Sequence, residues 1–307
     1  MSNAFRITHK TVSSTVLAGL QHNMGRMQKL QEQLSSGKLV SRPSDSPVKT
    51  VEALQFRSTI TRTEQYVRNA EDGLALLGAA DTALSDGLEL TGRVRELVLR
   101  GMDDSNNAQG REALANEVEV LRDTLLGTAN TRYLDRPLFG GDTTRPAAFV
   151  TATDGVPGAA YAGDGMRASR TVAAGAQVEV TVPGTEVFGS NADPDQLFRV
   201  LHELAAALRD ESGPRHARLS AGLTRLDSAT DRMLSKLGEI GARFNRVDTV
   251  KSAAEGALVD LATSLAQVED IDLPKTIVDL QMQEVAYKAA LGATARVLQP
   301  SLLDFLR

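Results

Sequence analysis

The sequence predicts a mainly α-helical protein with a small β insertion between two helical blocks. Proline placement indicates this first, because none of the ten prolines lies in 48–136 or 215–273 and six lie in 137–214. Interior proline breaks a helix, so only the proline-free blocks can hold long helices. The chain also has no Trp, is only 4% aromatic and is rich in Ala and Leu, which suits long helices. We therefore expect a long antiparallel helical bundle formed by the N- and C-terminal segments, with a central β domain.

The first helix is predicted from an apolar seam whose members step by four and three residues, as in a coiled coil. The members of this seam are Val16, Leu20, Asn23, Met27, Leu30 and Leu34. We expect the helix to end near Ser35-Ser36-Gly37, because glycine often follows the last helical residue. The polar Asn23 either fixes the register at a cost in stability or faces a polar gap.

A rigid polar linker over 41–47 precedes the second helix. Ser46 suits the N-cap position and Pro47 the first turn, after which the helix should run to about residue 100. Its best seam consists of Leu76, Ala80, Ala83, Gly87, Leu90, Val94 and Leu97. After a turn at 103–110, a third helix is predicted over 111–130, with one apolar face made of Leu114, Val118, Leu121 and Leu125. The short connection predicts a helical hairpin.

The pattern changes to the period of a β-strand in the middle of the chain. Val178, Val180 and Val182 alternate with polar residues, which predicts a half-buried strand. Segments 147–153 and 170–174 are weaker strand candidates, and glycine-containing turns separate them. We expect a β-rich insertion over 137–190.

Helical patterns return after the insertion. Asp193 and Gln196 have the spacing of a capping box, with proline at the first helical position, so a helix should run from there to residue 210. Another helix is predicted over 215–270, and a last one runs to the C-terminus. Glu284 and Thr294 interrupt the apolar face of the last helix, which consists of Ile277, Leu280, Tyr287, Leu291, Leu298, Leu302 and Phe305.

The two ends of the chain are predicted to act in assembly. Residues 1–50 carry seven Lys or Arg against two acids, whereas residues 251–307 carry five against eight. Neither end has enough apolar surface to fold alone, so each needs the other or neighbouring copies. The predicted domains are a terminal assembly domain (1–47 and 273–307), a helical core domain (48–136 and 191–272) and the β insertion domain (137–190).

The sequence predicts no catalytic, metal or cofactor site. It lacks cysteine, and its four histidines show no metal-ligand spacing. Glycine-rich stretches are typical of turns rather than phosphate loops, and no Gly-x-Ser-x-Gly motif occurs. The mildly acidic balance, the lack of a long apolar stretch and the lack of a signal peptide indicate no nucleic-acid or membrane partner.

Four motifs, in this order and spacing, resemble a known family. The first is Gln-Leu-Ser-Ser-Gly-Lys at 33–38, followed by Arg-Pro-Ser-Asp-Ser-Pro at 42–47. The others are Leu-Phe-Gly-Gly at 138–141 after Tyr133, the run 241–247, and the ending Ser-Leu-Leu-Asp-Phe-Leu at 301–306. Together they are similar to the flagellar hook-associated protein 3 family of flagellin-like proteins. Flagellins proper usually have Ala-Lys-Asp-Asp-Ala where this chain has its Pro-Ser-Asp-x-Pro motif.

The resemblance implies a structural role in the bacterial flagellum. Its members form a self-assembled ring of eleven copies that joins hook to filament, between the first hook-associated junction protein and flagellin. They reach the outside through the flagellar type III export apparatus without a cleaved signal peptide, after an export chaperone has held the C-terminal region. The expected assembly interface consists of Val16, Leu20, Met27, Leu30, Leu34, Ile277, Leu280, Tyr287, Leu291, Leu298, Leu302 and Phe305.

Two alternatives and one further resemblance stay open. The chain could be a minor or short flagellin, or a flagellin-like protein with a protease in its insertion, although 137–190 has no zinc-binding pair. The segment Leu90, Arg93, Val94 and Glu96 resembles the stretch of flagellin that a vertebrate innate immune receptor contacts, but Gly92 replaces the usual Gln. The same segment also fits an exposed helix face that packs against the next subunit.

Overall fold

The fold comes from a computed structural model that describes residues 9–103, 106–151, 158–210 and 213–297. Its helices are α1 (His9–Ser36), α2 (Pro47–Gly101), α3 (Ala108–Ala129), α4 (Gly184–Val187), α5 (Leu197–Arg209), α6 (Arg215–Glu269) and α7 (Leu273–Val297). Its strands are β1 (Arg132–Tyr133), β2 (Arg136–Pro137), β3 (Phe149–Thr151), β4 (Ala159–Tyr161), β5 (Ser169–Ala173) and β6 (Ala176–Glu179). The prediction of a mainly helical fold with a small β part is confirmed.

The ends of the first helices follow the local signals in the sequence. After α1, Gly37 adopts a φ of 71°, a conformation that glycine reaches without steric cost, and its N–H donates to the carbonyl of Gln33 at 2.8 Å. Helix α2 begins at Pro47, and the N–H of Thr50 donates to the carbonyl of Ser46 at 2.9 Å. Proline in the first turn costs no hydrogen bond, because that N–H has no partner within the helix.

The chain divides into two compact units. We call residues 1–61 and 258–307 the terminal unit, and residues 62–257 the core unit. The boundaries fall within α2 and α6.

The core unit is built on helices α2, α3, α5 and α6. Helix α3 packs against α5, and Arg209 of α5 donates to Glu112 at 3.0 Å and to Glu119 at 2.6 Å on α3. On α2 the predicted seam is buried except for Leu76 and Leu90, which are half-buried. The buried face is wider than predicted, since it also includes Leu77, Leu84 and Val98.

Three two-stranded antiparallel sheets make up the β part, pairing β1 with β2, β3 with β4 and β5 with β6. Phe149 of β3 lies opposite Tyr161 of β4, and the centroids of their rings are 5.3 Å apart. The Phe149 ring also lies 5.5 Å from Phe188 and 5.1 Å from Phe198. This aromatic cluster packs the β part against the start of α5.

Two of the sequence predictions for this region are wrong in detail. Strand β6 ends at Glu179, three residues before the predicted end, although Val180 and Val182 are buried as the alternation indicated. The predicted capping box does not form, and α5 begins at Leu197. The Asp193 carboxylate instead accepts from the N–H of Asp195 at 2.8 Å, while the buried Gln196 side chain donates to the carbonyl of Ala159 at 2.7 Å. Tertiary contacts therefore replace the local cap.

Candidate assembly surface

In the terminal unit, the burial of α1 follows the predicted seam. Among residues 14–32, the half-buried positions are 16, 20, 23, 27 and 30, and every other position is exposed. Leu34 is half-buried as well. A single stripe of this kind is the seam of a two-helix coiled coil.

The partner of this stripe is α7 of the same chain. A four-and-three series on α7 is removed from solvent and consists of Thr276, Leu280, Gln283, Tyr287, Ala290 and Thr294. Asp279 and Glu284, beside this series, are half-buried as well. At the middle of the paired seams, Nε2 of Gln283 donates to Oδ1 of Asn23 at 3.1 Å. The two ends therefore pair with each other within one chain, which is the first of the two arrangements expected for them.

The predicted face of α7 combined residues from two sides of the helix. Leu280 and Tyr287 lie in the seam, whereas Ile277 and Leu291 are 41% and 43% exposed. The reason is that small and polar residues, such as Thr276, occupy seam positions that hydrophobicity alone does not reveal. Leu298, Leu302 and Phe305 lie outside the described residues.

A second apolar stripe runs along the outer side of α7. Val278, Met282 and Val285 repeat the four-and-three spacing and are 53%, 63% and 66% exposed. On a helical projection they lie roughly opposite the seam that faces α1. Large apolar residues are also exposed on α1 at Leu17 and Met24. Exposed apolar stripes of this kind mark surfaces that pack against other proteins.

Short backbone contacts join the linkers of the terminal unit. The N–H of Leu39 donates to the carbonyl of Glu269 at 2.7 Å, and the N–H of Ile271 donates to the carbonyl of Gly37 at 3.1 Å. The buried Glu269 carboxylate pairs with Arg57 and, at 3.4 Å, with Lys38. The linker that follows α1 is thereby held against the end of α6.

The α1–α2 linker is also fixed to α1. Asp45 accepts from Nζ of Lys29 at 2.9 Å and from the N–H of Arg42 at 3.1 Å. The hydrogen bond from Lys29 is the main cause that lowers the pKa of the Asp45 carboxyl, and the N–H of Arg42 adds to it. Asp45 therefore stays ionised and continues to hold the turn in mildly acidic solution.

The receptor-like segment lies in the core unit. Val94 is only 1% exposed and packs in the hydrophobic core, and Leu90 is half-buried. Arg93 and Glu96 are exposed and pair with each other at 3.1 Å, and Arg93 also pairs with Glu117 of α3 at 3.0 Å. Of the four residues, only these two are exposed.

The described part of the chain contains no group of three or more His, Cys, Asp or Glu residues able to hold a metal ion. Within the same residues, no helix has the length and apolar character required to cross a bilayer.

Comparisons with known proteins agree with this geometry. Residues 7–144 match the model of the N-terminal helical region of bacterial flagellins. The hook-associated protein 3 of Salmonella typhimurium is 22% identical over 304 residues, which cover 93% of this chain and 94% of that protein. The chain is therefore similar to flagellar hook-associated protein 3 along nearly its whole length.

Two further flagellar proteins are similar to this chain in sequence or in structure. The flagellin of Bacillus subtilis is 22% identical and aligns over 98% of this chain and all of that protein. The crystal structure of hook-associated protein 3 from Legionella pneumophila superposes with a TM-score of 0.62 at 16% identity, over 70% of this chain and 98% of that one. At this identity the structural likeness establishes the fold alone. The likeness to flagellar hook-associated protein 3 therefore rests on the sequence matches.

The sequence-based description of α7 differs from the structure in two respects. It omitted Gln283, Thr276 and Ala290 from the seam, and it did not separate the outer stripe. The sequence does contain a signal for both surfaces. One four-and-three series on this helix is apolar and forms the outer stripe, and a second, of mixed polarity, forms the seam that faces α1.

Proposed function

We propose that this chain is a structural subunit of the bacterial flagellum that joins the hook to the filament by assembling into a ring. The outer apolar stripe of α7, which stays uncovered after α1 and α7 have paired, is the observation that carries this proposal. Similarity to flagellar hook-associated protein 3 along nearly the whole chain supports the place in the flagellum. No catalytic step is part of the proposal.

The partners follow from the family. We propose contacts with further copies, eleven in a ring, with flagellin on one side, and with the first hook-associated junction protein on the other. Before assembly, an export chaperone would cover the C-terminal region. The chain would leave the cell through the flagellar type III apparatus and act outside it, as part of the flagellum.

Burial of the outer stripe supplies a driving force for assembly. Val278, Met282 and Val285 are each more than half exposed. Covering the remainder of these three side chains would contribute about 3–5 kcal/mol per copy. A contact between different surfaces of successive copies generates rings or helical arrays.

The decisive test is a deletion of the gene in its host. We expect non-motile cells that make complete hooks and shed flagellin into the medium, because the filament has no junction to grow from. Normal filaments on the deletion strain would contradict the proposal.

Truncation of the purified protein tests the role of the terminal helices. Removing 1–40 or 275–307 should leave a folded, monomeric helical core that no longer assembles, since the core unit has its own buried interior. Circular dichroism and sedimentation give the two readouts. Global unfolding of either truncated chain would show that the terminal helices belong to the folding core instead.

A short or minor flagellin is the second candidate, because the Bacillus subtilis flagellin aligns over the whole chain. A filament subunit would polymerise into long filaments without a hook-side template. A junction protein would not.

A further inference from the structure

The terminal unit contains a basic cleft beside the α1–α2 linker. Its volume is about 430 Å³. Four basic side chains line it, Lys38, Arg42, Lys49 and Arg57, against the single acidic residue Glu269. The cleft therefore has an excess of positive charge in a concave surface.

Contacts within the chain neutralise only part of this charge. Glu269 pairs with both Arg57 and Lys38, so two cations share one carboxylate. Arg42 reaches Glu32 at 3.4 Å. The half-buried Lys49 has no ion-pair partner among the described residues. A half-buried ammonium without a counterion, in a cleft with an excess of positive charge, attracts an anion from outside.

The walls of the cleft also select the shape of the occupant. Val40, Pro43, Leu54 and Val268 line it together with the charges, and Leu54 is 57% exposed. An apolar wall beside cations fits a carboxylate carried on a protein surface better than a small hydrated anion.

The chain itself carries an unmatched acidic surface on α2. Between residues 69 and 92 the sequence has five acids and no Lys or Arg. Two of the acids are paired within the chain. The other three, Asp81, Asp86 and Glu89, have no ion pair in the part of the chain that the structure describes, and they lie within about 140° of the helix circumference. We call these three residues the acidic face.

We propose that the acidic face of one copy docks in the basic cleft of a second copy. The contact joins two different surfaces, so it can repeat from copy to copy as a ring requires. Charge complementarity gives the orientation of the docked copies, and the apolar wall of the cleft adds contact area. The inference rests on the proposed function only in requiring that copies of this chain associate.

Thiol cross-linking tests this contact without background, because the chain has no cysteine. Ser41 lines the cleft, and Ser85 is an exposed residue of α2 between Asp81 and Glu89. Full-length Ser41→Cys and Ser85→Cys variants are mixed in equal amounts and oxidised. We expect about fivefold more heterodimer than from Ser41→Cys with Ser252→Cys, a control whose thiol is exposed on α6. Added salt should reduce the excess, because it screens exposed charges.

Charge reversal separates docking from chance collision. Lys49→Glu in the Ser41→Cys chain should lower the excess to the control level, and Glu89→Lys in the Ser85→Cys chain should then restore it. Neither substitution removes an ion pair within the described residues, and circular dichroism verifies the fold of each variant.

Three results would overturn the proposal. These are equal yields from the test and control pairs, an excess that Lys49→Glu leaves unchanged, and a loss that Glu89→Lys fails to restore. The last of these would indicate that Lys49 contacts a surface of the second copy other than the acidic face. Failure of the proposed function would appear elsewhere, as a deletion strain that keeps its filaments.

Discussion

Replacing the polar pair at the centre of the α1–α7 seam tests how the terminal helices keep their register. Asn23 and Gln283 are both half-buried and share a hydrogen bond of 3.1 Å. We expect the double variant Asn23→Leu with Gln283→Leu to be more stable but less specific in register. Polar residues at single seam positions set the register of coiled coils at a cost in stability.

The size of the effect follows from the contacts. A slip of one heptad separates the two amides and places each against a non-matching layer. The lost hydrogen bond costs about 1 kcal/mol, and two poorly matched polar groups that still reach some water add about another 1 kcal/mol. The native register is then preferred by about 2 kcal/mol, roughly thirtyfold. Leucines at both positions would remove this preference and add about 1–2 kcal/mol of apolar contact.

Disulfide trapping measures the register directly. In the antiparallel pair, Leu20 and Tyr287 occupy the same layer, whereas Leu20 and Thr294 would meet only after a slip of one heptad. The ratio of the native disulfide (cysteines at 20 and 287) to the slipped disulfide (cysteines at 20 and 294) should fall by about thirtyfold in the double variant. Met27→Leu, an apolar change in the neighbouring layer, is the matched control and should leave the ratio unchanged. An unaltered ratio in the double variant would show that the linkers, not the amides, define the register.

Three further predictions concern the core unit, and each is checked by thermal or denaturant unfolding. Leu134 is exposed at a hairpin tip with a φ of 45°, so Leu134→Asn should raise the free energy of unfolding by about 0.5–1 kcal/mol. An unchanged free energy of unfolding would argue against backbone strain at this position. Gly189→Ala should lower the free energy of unfolding by about 2 kcal/mol or more, because φ is 95° at this position and a Cβ would lie 2.8 Å from neighbouring backbone. The control Gly238→Ala has open space in α6 and should raise the free energy of unfolding by about 0.5–1 kcal/mol. The hydrogen bond from Arg209 lowers the pKa of Glu119, so its stabilisation is present above the unfolded pKa and is lost as the pH falls through the folded one. Glu119→Gln should therefore flatten the loss of stability below about pH 4.5, and an unchanged acid profile would remove this pair as a cause.

Features with strong local causes could be predicted from the sequence. The end of α1 at Gly37 and the start of α2 at Pro47 depend on backbone conformations that few other residues supply. The seam of α1 was predictable because its apolar residues recur at four-and-three spacing, a series to which Leu17 and Met24 do not belong. The first motif of the hook-associated resemblance, at 33–38 and 42–47, lies at these same turns.

Features created by tertiary contacts could not be predicted in this way. Strands β1, β2 and β4 have two or three residues each, too few for an alternating pattern. Gln196 looked like part of a helix cap, but burial gives its amide a carbonyl of β4 as partner. On α7 the buried side includes Thr276 and Ala290, because a coiled coil needs the correct spacing more than it needs large apolar residues.

The distribution of exposed apolar residues explains how a stable monomer can also assemble. Thirteen of the twenty large apolar side chains that are exposed among the described residues lie in the terminal unit, although it is the smaller of the two. The core unit buries its large side chains and holds four fully buried phenylalanines. If copies associate as proposed, we expect stability of the fold and affinity for other copies to depend on different residues. Substitutions on the outer side of α7, such as Met282→Ser, should weaken assembly while leaving the unfolding of the core unit unchanged, and a parallel loss of both would contradict this separation.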